Sequence, residues 1–293
     1  SAQLRVKVLN NGRRSVANMT LNVNGIPSLV NLSTPLQAGA SRWVTLPSWV
    51  NLSLVGTQTF CATVALVNNR LDQIPVGDTA CTEVLVQNPI PVSAAVPFCA
   101  DFESSSWGTF EDIPGTEWVL GTPIQGSLTT AYNGTKAYST NLGADYGMRA
   151  RSYLVSPKFT LDTGTTYILS FAHNMQSEPA VDGGHVEYSF DDITWYPLGY
   201  THVPGSTNWC TEPSVVALNG QSGWSRSMTG YQLSSLRLKP GESGVRFRWT
   251  FASSNAVSAP GWTVDQVCLE VDSSTAPVLN LLGQPPIYAT GCP

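Results

Sequence analysis

The sequence predicts an all-β protein built as two successive β-sandwiches, and three observations carry that expectation. Apolar residues alternate with polar ones along many short segments, and no long helical pattern is present. Turn-forming Asn, Asp, Gly and Pro residues separate these segments. One stretch, Gln87-Asn-Pro-Ile-Pro-Val-Ser-Ala-Ala-Val-Pro97, breaks the pattern with three prolines, which cannot sit inside a central strand.

The first domain is expected over residues 1–88. Leu4, Val6 and Val8 fall on one face of a strand and Arg5 and Lys7 on the other. Met19, Leu21 and Val23 then alternate with Thr20, Asn22 and Asn24, and Asn24-Gly25 signals a tight turn. Further strands are expected at 41–46, 59–67 and 79–87, the last two joined by the turn-rich loop 68–78. Short strands at this spacing suggest a small immunoglobulin-like sandwich. Residues 89–97 read as a stiff linker. The second domain, 98–272, offers strands at 152–159, 166–173, 184–190, 194–200, 244–251 and 262–271, a pattern that suits a jelly roll.

Composition narrows the function. Hydrophobic residues make up 42% of the 293 positions, enough for two cores, while charged residues make up only 12% and the net charge is -5. No basic stripe exists to displace counterions, so nucleic acid is not an expected partner. No apolar run approaches the roughly 20 residues that a membrane-spanning helix needs, so membrane insertion is not expected. Six cysteines without metal-ligand spacing, together with Asn-X-Ser/Thr triplets at Asn18, Asn31, Asn51 and Asn133, point to disulfides and an extracellular, cell-surface or secreted location.

Certain segments resemble known families. Val8-Leu-Asn-Asn-Gly12, Leu36-Gln-Ala-Gly-Ala-Ser41, and Asn69 through Asp78-Thr79 look like the framework of CARDB-type, immunoglobulin-like modules of bacterial surface proteins. In the second domain the motifs are Asp101-Phe-Glu103, Gly183-Gly-His-Val-Glu-Tyr-Ser189 with Thr194-Trp195, Val245-Arg-Phe-Arg-Trp249 and Gly261-Trp-Thr-Val-Asp265-Gln-Val267. These are similar to MAM-like jelly rolls of secreted bacterial proteins, including type IX-exported ones and those joined to immune-inhibitor-A-type peptidases. Gln266 stands where that family's closing motif usually has a second acid, and Cys210 stands where a tyrosine commonly follows Asn-Trp.

The first resemblance implies a module that lacks its first strand. Residues 273–293 look like that strand, so Val278, Leu279, Leu281 and Leu282 are expected to complete the immunoglobulin-like domain of the next unit. In the second resembling fold the first and last strands adjoin, which implies a Cys99 to Cys268 bridge. Cys61 and Cys81 lie on consecutive antiparallel strands and can face each other across the hairpin. Cys210 and Cys292 remain, to pair within a chain or between units.

Chemistry is sparse. No nucleophile elbow, His-Glu-X-X-His or phosphate-cradling loop occurs, and the adjacent acids Asp191-Asp192 and Glu111-Asp112 point to opposite faces of a strand, so no enzyme activity is expected. Glu103, Asp265, Glu178 and Asp182 are candidates for a structural calcium site, since hard cations need several oxygens. Trp209 and Trp224 flank the long 201–230 loop and are candidates for ligand contact. The expectation is a structural repeat unit of an extracellular filament or giant surface adhesin, joined head to tail to copies of itself by strand complementation. The alternative is a carbohydrate-binding or adhesion module of a secreted multidomain hydrolase, with glycans or a host or abiotic surface as partner.

Overall fold

A computed structural model describes residues 2–50, 54–71, 77–113 and 115–283. Cys292, the Asn51 triplet and residues 284–293 of the expected tail lie outside them. The chain divides into two compact units between Asn88 and Pro89. Among the described residues the regular structure is strand, apart from one short 3-10 turn at Val216–Leu218. Among the described residues no helix is long and apolar enough to cross a membrane.

The first unit contains β1 (Ala2–Leu9), β2 (Val16–Val23), β3 (Ile26–Leu36), β4 (Ser41–Val50), β5 (Gly56–Val67), β6 (Arg70–Leu71) and β7 (Thr79–Val86). β1 and β4 form a two-stranded sheet; β3, β2 and β5 form the other, with β6 and β7 also paired to β5. The period-two alternation puts Met19, Leu21 and Val23 of β2 on one core with Val44 and Leu46 of β4 and Phe60 of β5. At about 1.5–3 kcal/mol per fully buried side chain, this shared burial is what joins the two sheets. Asn24 and Gly25 both take positive φ, 46° and 87°, and form the tight turn between β2 and β3. Strand β3 was not among the sequence expectations, because Pro27 and Pro35 interrupt its pattern. Cys61 and Cys81 face each other across β5 and β7 and are bonded.

The second unit contains β8 (Ile90–Pro91), β9 (Phe98–Ala100), β10 (Gly108–Ile113), β11 (Trp118–Gly121), β12 (Ala137–Thr140), β13 (Arg151–Val155), β14 (Phe159–Thr160) and β15 (Tyr167–Gln176). It continues with β16 (Gly183–Ser189), β17 (Tyr196–Pro197), β18 (Glu212–Val215), β19 (Gln221–Ser225), β20 (Gln232–Pro240), β21 (Gly244–Ala252), β22 (Gly261–Val271) and β23 (Leu279–Leu281). A nine-stranded sheet has the order β10-β13-β21-β16-β19-β18, with β14, β8 and β17 attached. A seven-stranded sheet has the order β11-β12-β22-β15-β20-β23, with β9 attached to β22. Their facing sides enclose an aromatic core in which Phe171 meets Trp209, Trp224 and Trp249 edge-on at 5.4–5.8 Å. Edge-to-face contact is the arrangement that ring quadrupoles favour. Cys99 and Cys268 oppose each other on β9 and β22 and are bonded, tying the start of this unit to its last long strand.

Two expectations are corrected by the placement of strands. Residues 89–97 do not form a free linker. Ile90 and Val92 donate their N–H groups to Lys158 and Thr160 at 2.8 and 3.1 Å, and Val92 is buried in the second unit's core. Pro89 and Pro91 alternate with those donors, so proline at every second position costs this edge no hydrogen bond.

The tail is the second correction. Leu279–Leu281 runs parallel to β20 of its own second unit, pairing Leu238 with Leu279 and Pro240 with Leu281. Leu281 is 1% exposed in that unit's core, Val278 and Leu279 are half-buried, and Leu282 is exposed. The seat is shaped for it: a Cβ on Gly205 would lie 2.4 Å from the Pro277 carbonyl oxygen, and one on Gly241 2.3 Å from that of Leu281. Arg237 pairs with Asp272 and binds Ser274, which anchors the approach to this strand. Apolar alternation specified a strand here but not which sheet it would join.

Candidate functional site

The nine-stranded sheet turns one face to the core and the other away from it. On β21, Val245, Phe247, Trp249 and Phe251 enter the core, so Arg246, Arg248 and Thr250 stand on the opposite face. The same alternation on β16 places His185, Glu187 and Ser189 on that outer side, where all three are nonetheless buried, and on β13 it places Arg151 and Tyr153 there. Glu187 lies directly opposite Arg248, His185 opposite Thr250, and Phe110 of β10 opposite Tyr153.

These side chains form a connected row. The Arg248 guanidinium lies 4.3 Å from the ring centroids of both Tyr153 and Trp195. Phe110 stacks on Tyr153 at 4.4 Å with 23° between planes. Below the row, Glu187 accepts hydrogen bonds from Arg248 Nε at 2.6 Å and from the Thr250 hydroxyl, with His185 Nε2 at 3.8 Å. The Tyr153 hydroxyl donates to Asp112, and Arg151 donates to the Ala217 carbonyl at 2.9 Å. Phe110 is 42% exposed and Trp195 half-buried, so the two ends of the row are the open ones.

Trp195 is held there by a turn. Asp191 accepts the N–H groups of Ile193 and Thr194 and the hydroxyls of Ser189 and Thr194. Desolvation would raise its carboxyl, but the Thr194 and Ile193 N–H groups prevail and bring it down to about 2. Asp192 pairs with Arg246 at 2.9 Å and Lys158 at 3.4 Å.

The electrostatics of the row are those of a fixed ion pair. Burial works to raise the Glu187 carboxyl, but attraction to His185, together with the hydrogen bond and charge of Arg248, outweighs it and holds the group below the usual carboxylate value. Burial pushes His185 down to about 4, so its ring is neutral at pH 7 and Arg248 supplies the positive charge. Burial, reinforced by the bond to Asp112, raises Tyr153 and keeps its hydroxyl a donor.

The residues singled out from sequence lie elsewhere. Trp209 and Trp224 are 3% and 0% exposed; their indole N–H groups donate to the Leu198 and Asn208 carbonyls at 2.7 and 2.8 Å. The 201–230 segment folds back onto the sandwich and buries them, so they are core residues, not ligand contacts.

The four calcium candidates separate into two pairs. Glu103 and Asp265 grip the 132–136 segment: Glu103 accepts the N–H groups of Thr135 and Lys136, and Asp265 those of Tyr132, Asn133 and Gln266. Asp182 accepts from the Tyr146 hydroxyl at 2.9 Å and from the Ser254 N–H, and Glu178 accepts from the Ser254 hydroxyl. These oxygens receive N–H and O–H donors, which a cation would have to displace, so the four do not fit one shared calcium ion. Among the described residues the close grouping of His, Cys, Asp and Glu ligand atoms is Cys99, Cys268 and Glu270, and its two sulfurs are bonded to each other. Cys210 is a buried free thiol whose pKa burial raises.

Sequence reasoning did not select Arg248, Glu187, Tyr153, Phe110 or Trp195 as functional. One signal was present. Arg246 and Arg248 alternate with Val245, Phe247 and Trp249, so a charged face runs along a strand whose other face is wholly apolar.

No protein-family model matches the sequence, and no curated protein matches it. Among solved structures, the chain is similar to the K3 adhesin domain of Lys-gingipain from Porphyromonas gingivalis, at 17% identity over 59% of this chain and 98% of that one, with a TM-score of 0.36. It is also similar to the C-terminal family 22 carbohydrate-binding module of Clostridium thermocellum Xyn10B, at 9% identity over 61% and 95% of the two chains and a TM-score of 0.34. A third is TmCBM61, whose structure holds β-1,4-galactotriose, at 11% identity over 59% and 91% and a TM-score of 0.32.

Proposed function

We infer that the second unit is a non-catalytic binding module that takes a carbohydrate on the outer face of its nine-stranded sheet. One observation carries this reading: Trp195, Arg248, Tyr153 and Phe110 form a row of flat groups, open at Trp195 and Phe110, above an ionised, buried Glu187. A sugar ring offers apolar faces that stack on aromatic rings and hydroxyls that need both donors and acceptors. The row supplies the first and the Arg248–Glu187 pair the second. Because neighbouring strands lie about 4.8 Å apart, a row crossing β10, β13 and β21 has room for a short oligosaccharide laid across the strands.

A binding role suits this carboxylate better than proton donation. A general acid for glycoside cleavage needs a raised pKa, whereas Glu187 is held below its usual value and bonded to Arg248. The two disulfides support an oxidising, extracellular setting.

The test is a glycan array with the full chain, followed by calorimetry on the best ligand. Trp195→Ala and Phe110→Ala are each expected to weaken binding at least about tenfold, the loss of roughly 1.4 kcal/mol of stacking. Absence of any retained glycan, or binding unaffected by both substitutions, overturns the reading.

A further inference from the structure

Every cation on the outer face of the nine-stranded sheet has a carboxylate matched to it. Arg248 and Glu187 hold each other, both largely shielded from solvent. Asp192 pairs with Arg246 at 2.9 Å and with Lys158 at 3.4 Å. Arg151 and Asp112 meet at Tyr153: the phenol donates to Asp112, and the two charges act on it in opposite senses. Asp191, in the turn beside the face, is taken up by the N–H groups of Ile193 and Thr194. Arg151, Lys158, Arg246 and Arg248 are thus balanced by Asp112, Glu187, Asp191 and Asp192.

Hydrogen-bonding capacity remains where charge does not. A guanidinium carries N–H donors on every nitrogen, and among the described residues Arg248 donates through Nε alone. Glu187 accepts from Arg248 and Thr250 on Oε2, while Oε1 accepts no hydrogen bond from the described residues. Donors and an acceptor side by side, with no surplus charge, suit adjacent hydroxyls of a neutral sugar. A carboxylate or sulfate would have to draw a cation away from its partner, leaving Glu187 or Asp192 uncompensated. It would also approach a unit that carries nine Lys/Arg against seventeen Asp/Glu.

Building on the carbohydrate-binding reading above, we propose that the ligand is an uncharged oligosaccharide, held through adjacent hydroxyls at Arg248 and Glu187, and that glycans bearing uronate or sulfate groups are excluded. The aromatic ends of the row supply stacking to either kind of glycan, so the selection rests on the matched charges.

The test uses the full chain on an array of glucose, galactose and mannose oligosaccharides, each beside its C6-carboxylate and C6-sulfate counterpart. Uncharged members are expected to be retained, and their acidic counterparts to bind at least about tenfold more weakly in low salt. Affinity for the uncharged members should change less than about twofold between about 0.01 M and about 1 M salt, over which the screening length falls from about 30 Å to about 3 Å. Asp192→Asn leaves Arg246 and Lys158 unmatched, and asparagine accepts the left-handed φ of 62° found there. It should narrow the gap between each uncharged sugar and its carboxylate counterpart at least about threefold. Acidic counterparts retained as well as the uncharged sugars, affinity that falls about tenfold with salt, or a gap unmoved by Asp192→Asn each overturn this proposal and leave the sheet-face reading standing. Retention of no member of the array overturns both.

Discussion

Arg248 donates its Nε–H to Glu187 Oε2 at 2.6 Å while its guanidinium lies between the rings of Trp195 and Tyr153. Both charged side chains are largely shielded from solvent, 13% and 11% exposed. Breaking such a pair from one side leaves an uncompensated buried charge, which typically costs 3–5 kcal/mol. Arg248→Met is therefore expected to destabilise the second unit by about 3 kcal/mol as well as weaken ligand binding. Urea unfolding followed by circular dichroism measures the first effect; an unshifted midpoint would show that the pair is not held as described.

Stability should fall with acid well before most carboxylates titrate. His185 is depressed to about 4 from its ordinary value of 6.5, so the unfolded chain takes up its proton first as the pH drops. The stability it contributes is complete above about pH 6.5 and is lost as the pH falls towards 4, amounting to about 3 kcal/mol for this group. His173, depressed to about 3 by complete burial, acts in the same direction. Glu187, also lowered, adds a further loss as the pH falls below the ordinary carboxylate range. Thermal midpoints from pH 8 to pH 4 check the slope, and His185→Gln should flatten it.

Reducing the Cys99–Cys268 bond should weaken the second unit. The bond closes a loop with a sequence separation of 169, for which chain entropy gives on the order of 5 kcal/mol. Cys99→Ser/Cys268→Ser, compared with the parent in urea, reads this directly. Equal midpoints would mean that the pairing of β9 with β22 holds by itself.

Trp224→Ala should behave as a core deletion. The ring is 0% exposed and packed against Phe171, Trp209 and Trp262, so a loss of about 3–5 kcal/mol is expected. Calorimetry on any fraction that remains folded should show ligand affinity unchanged. A selective loss of binding with normal stability would return this tryptophan to the ligand site.

Strand content was legible wherever alternation was clean. The Met19, Leu21, Val23 stripe and the Asn24-Gly25 turn correspond to β2 and its tight turn, and Val245, Phe247, Trp249 to the inner face of β21. Proline hid β3 and β8, since its missing N–H argues against a strand unless the position faces away from the partner, as at Pro89 and Pro91. The candidate site was legible only in fragments. Phe110, Tyr153, Glu187, Trp195 and Arg248 are spread over 139 residues of sequence numbering and meet only because β10, β13, β21 and β16 are neighbours in one sheet.

By itself the sequence determined the period of each segment: which side chains share a face, where turns fall, and that the tail forms a strand. Those are local properties, set by the alternating directions of successive Cβ atoms and by residues that accept positive φ. Tertiary structure alone decided which strands adjoin, because pairing depends on edges and cores made by residues far apart in the chain. It seated Leu281 beside Pro240 in its own unit, buried Trp209 and Trp224, and left Trp195 and Phe110 at the open ends of a charged aromatic row.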